Sequence, residues 1–138
     1  MTQWANSLIR ISGYEVETLQ KRLADIVARR AQIAMRLAVL EAEMEVEKTR
    51  AADDPQAAML MPAYVEAWKI RRNATESELA AVAAEEDGAR DALARAFEEL
   101  KKFEHVAELS RIDKAKKEAR RETAALDELA LRRKKHVG

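Results

Sequence analysis

The 138-residue sequence contains no cysteine. That absence excludes disulfide staples, thiolate nucleophiles and thiolate zinc sites, and it is what a reducing compartment permits. Proline occurs twice and glycine three times, so long stretches run without either of the residues that most readily end a helix. Aromatics make up only 4% of the chain, which is not the composition of a compact globular core. Neither sign of charge is in excess, with 25 basic and 25 acidic residues, so no global field draws the chain onto nucleic acid or lipid. No apolar run approaches the roughly 20 residues that span a bilayer, and the opening MTQWANSLIRISGYEVE has no apolar signal-peptide core. A soluble protein of the cytosol is the expectation.

What fills the chain instead is Ala, Glu, Arg, Lys and Leu, with 36% of residues charged. This is the composition of long helices, and the apolar residues recur every three then four places. On one heptad frame the first positions are Ile9, Val16, Leu23, Arg30, Leu37 and Met44, and the fourth positions are Ser12, Leu19, Ile26, Ile33, Leu40 and Glu47. Ser12, Arg30 and Glu47 are its only polar members. Ser12 and Glu15 have capping-box spacing and Gly13 lies between them, so the rigid part is expected from about residue 13, after a frayed turn.

The stretch Ala51-Ala-Asp-Asp-Pro55 ends this pattern, since proline disfavours helix in the residue before it and suits the first turn of a new helix. Pro62 reads as the start of the second helix, with Gly88 its one later interruption. The seam resumes at Val65, Trp68, Arg72, Thr75, Leu79, Val82, Glu86, Ala89, Leu93, Ala96, Leu100, Phe103 and Ala107. The expected fold is therefore all-α: a single domain, 1–138, built as a long antiparallel two-helix coiled coil. Helix one covers about 8–52, the turn about 53–62, and a longer, protruding helix two about 63–135.

Equal rise on both arms makes facing seam residues carry numbers that add to about 115. Ile33 then meets Val82, Ile26 meets Ala89, Leu23 meets Leu93 and Val16 meets Leu100, large residues often facing small ones. Arg30 meets Glu86. The two charges that break the central seams thus stand opposite each other, as a register-setting ion pair requires; bending outward along their stems is the alternative.

Beyond Ala107 helix two has no internal partner, and its apolar stripe changes phase to Ile112, Ala115, Ala119, Leu126 and Leu129. Such a stripe is either a docking surface or a weakly amphipathic tail. Residues 111–138 hold ten basic residues against five acids, whereas 76–99 hold two against eight, so the free end is basic. It lacks the interleaved aromatics and the motifs of nucleic-acid readers. Chemistry is sparse too. His105 and His136 have no company of metal-binding carboxylates, there is no glycine-rich phosphate loop or nucleophile elbow, and neither enzyme activity nor a cofactor is expected.

The layout of a short heptad helix, a turn, DPQAAMLMPAYVEAWKIRR and a long helix ending in KKEARRETAALDELALRRKK resembles the flagellar export protein FliJ family over nearly the whole chain. The most specific piece is the end, where a basic stretch precedes Glu122 and Leu126-Asp127-Glu128-Leu129-Ala130; next come Tyr64 and Trp68. The resemblance implies a coiled-coil stalk of the type III export apparatus in flagellum biogenesis, and so in motility. Its implied partners are the hexameric export ATPase, the cytoplasmic domain of the export gate and export chaperones, and its implied place is cytoplasmic, peripheral to the inner membrane. Carried over by position, Tyr64 and Trp68, with Leu40 across from them, face the gate. Arg120, Arg121, Arg132 and Arg133, with Leu126 and Leu129, reach the ATPase. Glu43 and Glu47 depart from the aromatics that members place there. Trp68 also lies on the seam frame, so closing the hairpin tip is a second role open to it. Other classes compatible with the residues are a non-flagellar coiled-coil adaptor or chaperone, and a nucleic-acid-associated coiled coil that uses the basic helix.

Overall fold

The computed structural model describes residues 2–137, with side chains from 3 to 136, and every described residue except Asp54 is helical. Helix α1 spans Thr2–Asp53 and helix α2 spans Pro55–Val137. The two pack against each other as a helical hairpin, the all-α architecture that the heptads require. The contacts divide into two compact units, one of them Glu17–Ala94 and the other made of the described residues before Glu17 and after Ala94.

The expected turn over 53–62 is a single residue. Asp54 N donates to the Arg50 carbonyl at 3.0 Å and so closes α1, while Ala58 N donates to the Asp54 carbonyl at 3.0 Å and opens α2. The Asp54 side chain caps the new helix, its Oδ1 accepting from Gln56 N at 3.0 Å, and Pro55 takes the first helical position, where its missing N–H costs nothing. Residues 55–61 are helical: Gln, Ala, Met and Leu are good helix formers, and Pro62 interrupts the hydrogen-bond ladder at one position without ending the helix. Pro62 lies inside α2. It strips the Ala58 carbonyl of its helical donor, but both residues are exposed, so water satisfies that oxygen. At the other limits, α1 begins at Thr2 rather than near residue 8 or 13. Ser12 is buried within it rather than capping it, and Gly13 and Gly88 both sit in helix with open space where a Cβ would be.

Within the unit Glu17–Ala94 the seam follows the heptads. Ile26, Ile33, Val82 and Ala89 form the central cluster, with Leu23 and Leu79 packed against it. Leu40, Met44, Thr75 and Glu86 are also buried. The ladder of ion pairs along both flanks reads the register: Arg29–Glu85 at 2.6 Å, Arg30–Glu86 at 2.7 Å, Arg36–Glu78 at 2.7 Å, Glu43–Arg71 at 3.6 Å and Glu41–Arg72 at 2.7 Å. The residue numbers of each pair add to between 113 and 116, against twice 54 for a hairpin folded flat about Asp54. About five to eight residues are therefore spent crossing from one axis to the other, which is the work of the first two turns of α2.

In the other unit, Ala5, Ser12 and Val16 of α1 and Ala96 of α2 are buried, and Leu100, Phe103, Ala107 and Ser110 are half-buried at the same three-four spacing. From Arg111 to His136 every residue is exposed. There α2 relies on local pairs, Arg111 binding Glu108 through two nitrogens at 3.0 and 2.7 Å, with Lys117–Asp113 and Arg132–Glu128 each at 3.1 Å. Each such pair contributes about 0.2–0.5 kcal/mol.

Glu86 is the one acid buried in the seam. Its side chain is 8% exposed, and Arg30 Nη1 donates to Oε2 at 2.7 Å while Arg90 Nε stands 3.7 Å from the same oxygen. Glu86→Arg places three cations together and is expected to lower stability by about 1–3 kcal/mol, less than a fully buried pair because Arg30 is half exposed. Adding Arg30→Glu restores part of the loss, and Arg90 holds back the rest. Thermal melts of the two single variants and the double variant check this; additive losses would remove the pairing.

Candidate functional site

Two surfaces stand out once the seam is filled, one in each unit. In the unit Glu17–Ala94, Trp68 is half-buried, and its Nε1 donates to the Leu40 carbonyl at 2.7 Å. The Arg72 guanidinium lies 5.6 Å from the centre of the same ring, held there by Glu41 at 2.7 Å and Glu76 at 3.0 Å. Leu40 itself is buried. Leu40 and Trp68 meet inside the seam, where the indole fills space and its N–H is satisfied.

Tyr64 behaves differently. It lines a shallow groove with Val39, Ala42, Glu43, Val46 and Glu47. Burial raises its phenol above the ordinary 10.0, the neighbouring charges of Glu43 and Glu47 raise it further, and Arg71 opposes them. The ring is therefore a neutral hydrogen-bonding group throughout the physiological range, set between apolar side chains and two carboxylates.

A feature that the seam frame conceals adjoins it. Met35, Val39 and Val46 are 70%, 51% and 60% exposed, with Ala42 exposed between them. Their spacing of four, three and four places all of them on one face of α1. This is a second apolar heptad stripe without a partner in its unit. The signal was present in the sequence, in a frame shifted from the seam, but a search for one seam assigns such residues to the outer face. The same holds for Met59 and Leu60, 82% and 69% exposed beside Pro62.

In the other unit Leu126 and Leu129 are 65% and 59% exposed. With Ala130, Arg132, Arg133 and Lys134 they border one shallow depression. A single helix supplies only one wall of such a depression, so an occupant would have to bring the other. Arg120 and Arg121 are exposed a turn or more before it. Arg120, Arg121 and Arg133 have no acidic partner among the described residues, whereas Arg132 pairs with Glu128 at 3.1 Å. Trp4 and Ile11 of α1, one heptad apart, are also exposed in this unit and escaped the sequence reading. No group of three or more described His, Cys, Asp or Glu residues is disposed to hold a metal. Among the described residues no helix is long and apolar enough to cross a membrane.

Among proteins of known name, two curated sequences called flagellar FliJ protein, from two strains of Caulobacter vibrioides, are each 53% identical to this chain over 133 residues, 96% of both lengths. The chain belongs to the FliJ family. No family model matches the sequence and no solved structure matches it, so membership of the FliJ family rests on these relatives.

The contrast between the two aromatics generates a test. Trp68→Ala removes a packed indole, a hydrogen bond and a cation–π contact, and is expected to cost about 2–4 kcal/mol. Tyr64→Ala removes an equally half-buried ring, but without the hydrogen bond and cation–π contact of the indole, and should cost about 1–2 kcal/mol. Chemical denaturation of the two variants distinguishes them, and equal losses would contradict the division between seam and surface.

Proposed function

We propose that this protein is a non-enzymatic component of the flagellar type III protein export apparatus, acting in the cytoplasm at the flagellar base. Kinship with the FliJ proteins over almost the entire chain carries the reading. As a coiled-coil stalk it binds the hexameric export ATPase with one surface and the cytoplasmic domain of the export gate with another, and it assists export chaperones. No chemistry is required of it. A stiff helical element that engages two machines transmits the state of one to the other through the free energies of two interfaces.

The ATPase surface is the exposed end of α2. Leu126 and Leu129 supply apolar anchors, and Arg120, Arg121, Arg132 and Arg133 supply donors for acidic side chains. A helix of some 26 residues exposed on all sides is marginal in water without packing, so a ring that encloses it supplies the burial that it lacks. The gate surface is the groove at Tyr64 with the stripe Met35, Val39 and Val46. Trp68 and Leu40 serve it from beneath by fixing α2 against α1.

Separate surfaces make separable variants. Tyr64→Ala combined with Val39→Glu is expected to abolish binding to the purified gate domain and to abolish swimming. Its melt should stay within about 1–2 kcal/mol of the parent, because both positions lie outside the seam. Leu126→Ala with Leu129→Ala should weaken ATPase binding by tenfold or more while sparing the gate. Loss of both bindings together in either variant would overturn the two-surface reading.

A further inference from the structure

The chain has no thiol, so methionine sulfur is its most readily oxidised group. Of the methionines whose side chains are described, Met44 is buried at 6% exposure and Met61 is half-buried, whereas Met35 and Met59 stand 70% and 82% exposed. Met35 heads the apolar stripe of α1, on the lip of a groove that it lines with Val39, Arg71 and Ala74. An unbranched thioether packs adaptably against an apolar partner. The same atom, once oxidised, becomes a polar acceptor at the mouth of that groove.

We propose that Met35 is a reversible oxidation site, and that its sulfoxide disables the export-gate surface; this rests on the gate assignment made above. The oxidant class is a peroxide. A sulfur lone pair attacks one peroxide oxygen and the O–O bond breaks as the S–O bond forms; with hydrogen peroxide the departing hydroxide takes the proton of the transferred hydroxyl and leaves as water, so that the sulfoxide is neutral. Sulfur loses two electrons and the peroxide gains them. Reversal consumes two thiols of a dithiol reductant, which become a disulfide, and releases the oxygen as water. Docking an apolar partner over the stripe must then strip water from the sulfoxide oxygen, which weakens binding by about tenfold or more. Met44, in the seam of the same helix, is shielded and keeps the hairpin intact at peroxide doses that oxidise Met35.

The test uses the full chain treated with graded hydrogen peroxide, peptide mass spectrometry to follow each methionine, and titration against the purified cytoplasmic domain of the gate. Met35 is expected to oxidise at least about tenfold faster than Met44, gate affinity should fall in step with the Met35 sulfoxide, and methionine sulfoxide reductase should restore it. Affinity in Met59→Leu should remain sensitive to peroxide. In Met35→Leu, whatever its own affinity, the values before and after peroxide should agree. Oxidation of Met35 as slow as that of Met44, or a gate affinity indifferent to the Met35 sulfoxide, overturns the switch and leaves the gate surface standing. Failure of the untreated chain to bind the gate domain at all overturns the gate surface, and the switch with it.

Discussion

The interaction on which the structure depends is the cross-helix pairing of arginine and glutamate, and above all its change of sign along the hairpin. From 29 to 36 α1 offers Arg29, Arg30 and Arg36 to Glu85, Glu86 and Glu78; at 41 and 43 it offers Glu41 and Glu43 to Arg72 and Arg71. A slip of one heptad in one direction sets Arg36 against Arg71 and Arg72 and keeps one attraction, Arg29 with Glu78; in the other it sets Glu43 against Glu78 and keeps one, Arg36 with Glu85, so either slip exchanges five attractive pairs for one. Four of the five pairs are half exposed on both sides and each contributes at most about 1 kcal/mol. Their sum opposes every slipped pairing, although a heptad slip leaves the apolar seam nearly as well filled. Glu86 is the strictest member because it is buried, and an unpaired carboxylate there is costly.

Register decides which residues are left outside. With Ile26, Ile33, Val82 and Ala89 closing the seam, the Trp68 indole reaches the Leu40 carbonyl, and the groove at Tyr64 opens between Val39 and Val46. A two-helix seam buries only one stripe of each helix. Any second stripe, such as Met35, Val39, Ala42 and Val46, must face outward, and a protein that retains one there has a surface fitted for a partner. The exposed end of α2 follows the same logic by length alone, since α2 has 83 residues and α1 has 52.

The seam was legible in the sequence almost residue by residue, because burial in a coiled coil follows period and little else. The facing of Arg30 and Glu86 came from the same arithmetic. The corner is the least legible part: Pro62 reads as a helix start, whereas the cap is Asp54, and a proline on an exposed face costs one backbone hydrogen bond, which water replaces. The early frayed turn failed for a related reason, since burial of Ala5 and Ser12 outweighs the weakness of Gly13. The candidate site was half legible. Tyr64 lines an open groove and the basic end is exposed, whereas Leu40 and Trp68 belong to the seam, and the outward stripe lies in a frame that the seam period does not mark.

Because the chain has no native cysteine, pairs of introduced cysteines report register directly. Under mild oxidation Ile26→Cys with Ala89→Cys should form a disulfide in high yield, while Ile26→Cys with Val82→Cys, one heptad away, should not. Replacing Arg29, Arg30 and Arg36 by Gln should raise the slipped product at the expense of the native one. Equal yields of the two cross-links in the parent chain, or yields indifferent to loss of the three arginines, would contradict a register held by alternating charge.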